Sequence, residues 1–414
     1  MAIAVRAGEQ TRQVQMVCLD ELVSDDDVLR RVERLVAWGA VRESAAPFYS
    51  DFGRPGVDPV VLVKVFLVAA IRGIGSMRET LRVAQVDLSI RRFLGYGLTE
   101  ALPHHATFSY AQCVRFAQSS VFEQLFTQVL ASCRDAGLLD GSRLIVDATH
   151  VEADAALKSL RAELQAIDGD GDGDDDEPAE RPALKLAAPR LGPTPKRKAS
   201  NATAVSRTDP DAKLRYKPGH RPHLVYRAQV ATDPKARVIV AVHAEPATGH
   251  EADSLAIIID RSKWLRHRVR EIVADAGYAS DAVYTNLAQR RIEAFIPPQP
   301  NMLKRAGGQA ARKRCRSARG RDAAIDRITH GEGAIAELKR HGVGRARCRG
   351  TAKLQIQLLL AATAINLKRL TTRLPAAENT DASDNTAAHA QLAILNACLH
   401  ALAANNPATS TTGS

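Results

Sequence analysis

Leu144-Ile-Val-Asp-Ala-Thr-His150 is the stretch that decides the fold. Three apolar residues run straight into a carboxylate. A near-continuous apolar run suits a strand covered on both faces. Such a strand normally excludes an Asp, because a buried unpaired charge costs several kcal/mol or more. Asp147 could instead be a strand-end turn cap, but the wholly apolar Leu144–Val146 before it weakens that reading. His150, Glu152 and Asp154 follow closely and read as solvated groups at the strand's exit.

The pattern recurs downstream in Ile272-Val-Ala-Asp-Ala-Gly-Tyr278, where Asp275 ends the run. Gly277 permits a tight turn or a close backbone approach to a phosphate. Alone, Asp-x-Gly is a common turn, and its specificity comes from pairing with Asp147. A third acid lies in His330-Gly-Glu-Gly-Ala-Ile-Ala-Glu-Leu-Lys339, a helical stretch with two candidates, Glu332 and Glu337. At about 100° per residue, Glu332 and Lys339 are seven apart and share nearly one face. Glu337 lies roughly 140° round from Glu332 on the same geometry. Two strand-borne carboxylates and one helix-borne carboxylate are the arrangement that divalent cations use in two-metal phosphodiester chemistry. Mg²⁺ suits such carboxylate and water ligands, with Mn²⁺ able to substitute.

Charge collects around the third acid. The chain carries a formal net charge of +11. Between residues 301 and 350, fourteen Lys/Arg stand against four Asp/Glu, so nearly the whole excess is local. One basic stripe points to a polyanionic partner, most simply nucleic acid. Within it, Arg340-His-Gly-Val-Gly-Arg-Ala-Arg-Cys-Arg-Gly350 spaces arginines by two. In an extended segment that spacing puts Arg345, Arg347 and Arg349 on one side. Together with Lys339 and Arg340 they are expected to hold DNA phosphates rather than read bases.

Outward from these motifs, strand-like runs fall at 143–148, 224–231, 237–244, 270–275 and 292–296. Asp233-Pro-Lys-Ala236 reads as the turn of a hairpin. Helices are expected from Thr248-Gly-His-Glu251 to about Leu265, over Ser280 to Arg290, and from about 330 to 370. The order β-β-β-α-β-α-β-α is that of a ribonuclease-H-like α/β domain, a mixed five-stranded sheet with helices on both faces. Residues 1–136 read as an all-helical N-terminal domain. It has an amphipathic helix over 26–38, an Asp58-Pro59 helix start, a capping-box match at Ser76-Met-Arg-Glu79, and helix again over 107–136. Arg78, Arg82, Arg91 and Arg92 allow a helix-turn-helix reader there; a plain bundle with solvated arginines is the equal alternative. The catalytic domain is expected over 137–370, with a disordered acidic/basic insertion at about 160–215. Residues 371–414 read as a partly ordered tail.

The chain is 45% hydrophobic but only 4% aromatic, so its core must be mostly Ala, Leu, Val and Ile. Six scattered cysteines with no Cys-x-x-Cys pair argue against a zinc ribbon or a disulfide framework. Free thiols in a reducing cytoplasm are expected. The longest apolar run, Val60–Ile71, holds Lys64 and is too short to span a bilayer. No membrane partner is expected, and the location is expected to be cytoplasmic, at the nucleoid.

These motifs, in this order, resemble the bacterial insertion-sequence transposases of the IS5/IS1182 (IS4-like) group with a DDE catalytic domain. The likeness runs from about Phe52 to Arg369. It covers Gly53-Arg-Pro-Gly56, Asp147-Ala-Thr-His-Val-Glu-Ala-Asp154, Ala274-Asp-Ala-Gly-Tyr278, the segment from Glu332 through Lys339-Arg to Arg345-Ala-Arg-Cys-Arg-Gly350, Gln355, and Asn366-Leu-Lys-Arg369. The resemblance implies a metal-dependent enzyme that binds the terminal inverted repeats of its element as a homodimer, cuts the DNA and joins the 3′-hydroxyl to target DNA. Asp147, Asp275 and Glu332 would be the catalytic, metal-binding triad. A nuclease that cuts without joining, or a catalytically dead DNA-binding relative, are the alternatives. The chain departs from the family near Glu332. Relatives often carry a Tyr and an Arg at what would be Ile325 and Ile328, and Arg327 is one residue off. Ile335 replaces a usual aromatic, and Gly331 and Gly333 each weaken a helix by roughly 1 kcal/mol.

Overall fold

The computed structural model describes residues 16–50, 52–53, 56–162, 201, 204–216, 221–248, 251–262 and 269–373. Its strands are β1 (Arg143–Glu152), β2 (Leu160–Ala162), β3 (Ala204–Ser206), β4 (Lys213–Arg215), β5 (His223–Asp233), β6 (Val238–Pro246), β7 (Glu271–Val273) and β8 (Glu293–Phe295). The five expected strands are all present. β6 pairs with β5, β5 with β1, β1 with β7 and β7 with β8. The first two pairings are antiparallel and the last two parallel, so the sheet is mixed.

β5 and β6 form the expected hairpin, and buried Asp233 organises its turn. One carboxylate oxygen accepts from the Lys235 amide at 2.9 Å; the other accepts from the Asp140 and Gly141 amides at 3.0 and 2.6 Å. The outer edge of β6 is covered by the long helix Thr351–Arg373. Asn366 of that helix accepts from the Ile239 amide and donates to the Ile239 carbonyl, at 3.0 and 2.8 Å. Gln355 does the same for the Ala244 amide and the Val242 carbonyl, at 2.8 and 3.1 Å. Two side-chain amides thus stand in for a missing strand, and the edge has no open ladder to offer another chain.

The two faces of the sheet are packed differently. Ile145, Val273 and Phe295 form one row across β1, β7 and β8, and with Ala323 they make a small separate cluster. Ala323 lies on the helix Ala318–Asp326, which covers that face. Leu144, Val146 and Ile272 point the other way, into the main core. Helices therefore cover both faces.

The main core runs without a break from Leu29 to Leu370. The N-terminal part is all-helical, with helices at Val28–Leu35, Trp38–Ala45, Pro59–Arg72, Met77–Val86, Leu88–Leu94, His105–Tyr110 and Val121–Asp135. Thr351–Arg373 packs against Pro59–Arg72 and Val121–Asp135 as well as against β6. Among the described residues no single helix is long and apolar enough to cross a membrane. Pro59–Arg72 is buried almost end to end, and Lys64 within it bonds Glu33 Oε1 and the Phe93 carbonyl at 2.7 and 2.6 Å.

Several local expectations need correction. Asp58 caps its helix as expected, accepting from the Val60 amide at 2.8 Å. Ser76 makes no side-chain cap bond, and Glu79 instead pairs with Arg82 at 2.6 Å. Of the four arginines expected to be solvated, Arg91 is buried and donates to the Gly97, Gln85 and Glu100 carbonyls. Arg92 is fastened to Asp20 and Glu33 at 2.5 and 2.7 Å. These two are internal struts and are not available to read bases. The expected helix over 107–136 breaks into a π turn at Ala111–Arg115 and restarts at Val121.

The insertion is ordered at both ends. β2 pairs with β3, and β4 adds to β5 beside residues 223–225. Buried Asp209 accepts from the Tyr226 hydroxyl, and Asp211 accepts from the Thr351 amide and hydroxyl at 2.9 and 2.8 Å. The acidic run 168–177, the basic 196–198, the Gly249-His250 of the second capping-box match and the tail beyond 373 lie outside the described residues.

Candidate active site

Strand register sets the first two acids side by side. β1 and β7 pair in parallel, with Ile145 opposite Val273. The ladder stops there, and the same register carried two residues further would put Asp147 abreast of Asp275. Side chains alternate along a strand, so Asp147 points to the face of Ile145, the face covered by the helices after β8. β7 has ended by then, and Asp275 starts the short 3-10 turn Ala276–Tyr278, accepting from the Gly277 amide at 2.9 Å. The turn expected from Asp-x-Gly and the site residue are thus the same carboxylate. Tyr278 is fully buried, and its hydroxyl donates to Gln229 on β5, which fixes the turn to the sheet.

Glu332 reaches this face from above. Ala318–Asp326 continues without a break through a π turn, Arg327–Glu332, into the helix Gly333–Leu338. Gly331 is pressed against β1: a Cβ there would stand 3.1 Å from Ile145 Cγ2 and 3.7 Å from Asp147 Oδ2. Gly333 faces Arg237, whose guanidinium carbon would stand 3.0 Å from a Cβ at that position. Each glycine beside Glu332 therefore marks a close approach, one to the strand and one to the β5–β6 hairpin.

Arg143, at the foot of β1, locks this arrangement from below. It bonds Glu271 of β7 at 2.6 Å and Asp326 at the end of the covering helix at 2.5 Å. Arg319 adds a second tie, to Glu271 and to Glu293 at 2.8 Å.

Asp147 lies within reach of the charges of the other two acids. Burial raises the pKa of Asp147, the Ala148 amide and Arg327 work against that rise, and the negative charges of Asp275 and Glu332 add to it. Two neighbouring carboxylates thus destabilise the ionised form of a third, which is where a cation is favoured. All three offer oxygen ligands, the set that Mg²⁺ prefers. Among the described residues no three His, Cys, Asp or Glu side chains stand close enough to hold an ion as they are. Glu332 is exposed, so its side chain has the torsional freedom to turn inward.

Glu337 is committed elsewhere. It pairs with Arg369 of the long helix at 2.5 Å, both side chains being largely buried. His150, expected to be solvated, is half-buried, and its pKa is pushed down to about 4 by burial and then by Arg215, Arg227 and Lys339.

The cations expected to meet phosphate divide into two groups. Lys339, Arg340, Arg345 and Arg349 are exposed. Arg345 lies 3.4 Å from the Asp154 carboxylate, and Arg349 Nε donates to the Asp154 carbonyl at 2.9 Å. Arg347 departs from the expected common side. Only the start of the segment is extended, bridging to Glu152 through Arg345, and the chain then bends. Arg347 turns inward and donates to the Ile74 carbonyl at 2.8 Å, just past the end of Pro59–Arg72. Burial lowers its pKa. Gln357 clamps the same segment, donating to the Gly342 and Arg345 carbonyls at 2.6 and 2.9 Å and accepting from the Arg347 amide at 3.0 Å.

Arg237 escaped the sequence reading, whereas Arg327 and Gly331 were visible there only as an offset arginine and a helix-weakening glycine. Arg327 looked one residue out of step. A π turn holds one residue more than an α turn, and Arg327 opens such a turn with Glu332 at its end. The Arg327 charge acts on Asp147. The paired glycines were the only visible signal.

Comparison with known proteins gives the family. Residues 138–367 match the family described as "Transposase DDE domain", and residues 17–112 match "Transposase domain (DUF772)". No curated protein matches the chain. Among solved structures, the piggyBac transposase synaptic complex with hairpin DNA is 10% identical and covers 86% of this chain and 84% of its own, with a TM-score of 0.27. A pre-cleavage Mos1 transpososome is 9% identical and covers 80% and 83%, with a TM-score of 0.18. With more than half of its length matched by the catalytic-domain family, the chain belongs to the insertion-sequence transposases of the DDE type.

Proposed function

We propose that this chain is an active, metal-dependent DNA transposase of ribonuclease-H-like fold, with Asp147, Asp275 and Glu332 as its catalytic triad. What supports the reading is the parallel β1–β7 ladder leading toward Asp147 and Asp275, with Gly331, next to Glu332, packed against Ile145 and Asp147. The three carboxylates would hold two Mg²⁺ ions, or Mn²⁺ in their place, which would activate a water or a 3′-hydroxyl for in-line attack and stabilise the leaving oxygen. The protein's own part is positional. β1 and the turn after β7 fix two carboxylates. The helix carrying Glu332 brings the third, whose side chain is free to adjust. Arg327 offsets part of the negative charge on Asp147.

Lys339, Arg340, Arg345 and Arg349 hold backbone phosphates beside the acids and set the register of the duplex. Arg347 serves by fixing that segment to the helical part. The substrates are the terminal inverted repeats of the element and a target duplex, at the nucleoid of the cytoplasm. Cutting and joining two ends calls for two active sites, hence a homodimer on DNA. Residues 17–112 help bind the repeats.

The test is Mg²⁺-dependent cleavage and strand transfer on DNA carrying the element's own ends. Wild type is compared with Asp147→Asn, Asp275→Asn, Glu332→Gln and Glu337→Gln. The proposal expects the first three to bind the ends and do neither step, and Glu337→Gln to do both. Cutting without joining by wild type would make the chain a nuclease. Binding without cutting would make it a DNA-binding relative. Loss confined to Glu337→Gln would move the third acid.

A further inference from the structure

Cys113 and Cys348 stand 235 positions apart in sequence, yet their sulfurs lie 2.7 Å from each other. Each belongs to a different part of the molecule. Cys113 is in the π turn Ala111–Arg115 of the helical part. Cys348 lies between Arg347 and Arg349, in the arginine segment that Gln357 clamps. Both are half-buried, so a small oxidant can reach them while bulk solvent is mostly kept away.

We propose that Cys113 and Cys348 are a redox-responsive thiol pair, closed to an intramolecular disulfide by a peroxide and reopened by a dithiol. Small side-chain rotations bring sulfurs in contact to the bonding distance of about 2 Å. Cys113 is the attacking sulfur. A hydrogen bond from Cys348 and the nearby Lys353 charge bring its pKa down to about 7, whereas Cys348 is raised by the same bond. The thiolate is the reactive form. Cys133 and Cys315 lack this help: burial pushes Cys133 up to about 12 and also raises Cys315.

The step balances as follows. The Cys113 thiolate attacks one peroxide oxygen, the O–O bond breaks, and a sulfenic acid forms with hydroxide leaving as water. The Cys348 sulfur then attacks the Cys113 sulfur, the S–O bond breaks, and a second water leaves. The two sulfurs give up two electrons, which reduce the peroxide. In a reducing compartment the pair rests as thiols and closes only transiently. Closure ties the arginine segment to the helical part, and so holds Arg345 and Arg349 to one placement. The inference does not depend on the catalytic reading.

The experiment treats the purified full chain with hydrogen peroxide, alkylates remaining thiols and maps peptides without reduction. The expected result is a linked Cys113–Cys348 peptide pair, lighter by two hydrogens, with dithiothreitol restoring both thiols. Oxidised wild type should also melt at a higher temperature than reduced, and neither Cys113→Ser nor Cys348→Ser should show that difference. In Cys348→Ser, Cys113 should stop at a sulfenic acid that dimedone traps. The proposal is overturned if both cysteines remain alkylatable at doses that oxidise exposed Cys18. It is equally overturned if each is oxidised separately with no linked peptide.

Discussion

Asp147 and Asp275 are held by backbone, whereas Glu332 is held by contact. The first two owe their placement to a parallel ladder that starts four residues earlier, at Arg143 opposite Glu271. Beyond the ladder's end, the Tyr278 hydroxyl bonded to Gln229 holds the Asp275 turn to the sheet. Glu332 depends on a helix lying closer to the sheet than any residue with a Cβ at 331 would allow without moving Ile145. It also depends on a π turn that sets its rotation, and on Arg143 and Arg319 tying the covering helices down. The difference separates a rigid half of the site from an adjustable one. Conformational adjustment, when substrate arrives, belongs to the exposed Glu332 side chain.

The largest effect should come from the rigid half. Asp147→Asn or Asp275→Asn should lower cleavage about a thousandfold, because a metal ligand carries several kcal/mol of transition-state stabilisation and about 1.4 kcal/mol is tenfold. A variant within tenfold of wild type would break the comparison. Asp147→Asn should meanwhile gain stability. Its folded-state pKa is raised, so the stabilisation present below the unfolded value is lost as pH rises through the folded one. The melting temperature of the Asn variant should therefore exceed wild type near about pH 7, and the gap should close toward about pH 4.

Glu337→Gln should do the reverse, keeping cleavage and lowering stability by about 2 kcal/mol, since it leaves Arg369 buried and half-partnered. Urea unfolding reads this directly, and an unchanged midpoint would show the pair to be idle. Next comes Gly331→Ala. Overpacking against Ile145 costs about 1–3 kcal/mol and the helix regains at most about 1. A net loss of about 1 kcal/mol, with cleavage falling more than stability explains, is expected; a more stable and fully active variant would remove the close approach from the account. The smallest effect belongs to Arg345→Ala. It should reduce the salt dependence of DNA binding by about one phosphate contact and leave the melting temperature alone, whereas Arg347→Ala should lower the melting temperature instead. Equal behaviour of the two would erase the distinction between exposed and inward arginines.

What the sequence revealed follows the same divide. β1, the β5–β6 hairpin and β7 were legible because apolar runs bounded by turn residues admit few other readings. Asp147 and Asp275 came with them. The helices Ala306–Arg316 and Ala318–Asp326 were not anticipated, and their buried faces explain why. Only Gly308, Ala311, Gly320 and Ala323 are buried there, so small residues carry the packing and leave no hydrophobic period to find. The π turn was invisible because a fixed 100° per residue was assumed across it. Arg91 looked solvated, since nothing in its neighbours betrays three backbone carbonyls gathered around it.

The long helix Thr351–Arg373 has a bearing on how the chain comes off the ribosome. It seals the open edge of β6 and fills the space between Pro59–Arg72 and Val121–Asp135, although more than 200 residues separate it from either helix. Neither half can bury its apolar surface until that last segment has been synthesised. Contacts so distant in sequence are slow to form, and the waiting surface is prone to stick. Nascent chains and products truncated before residue 351 should thus aggregate or be degraded rather than persist as free DNA-binding fragments.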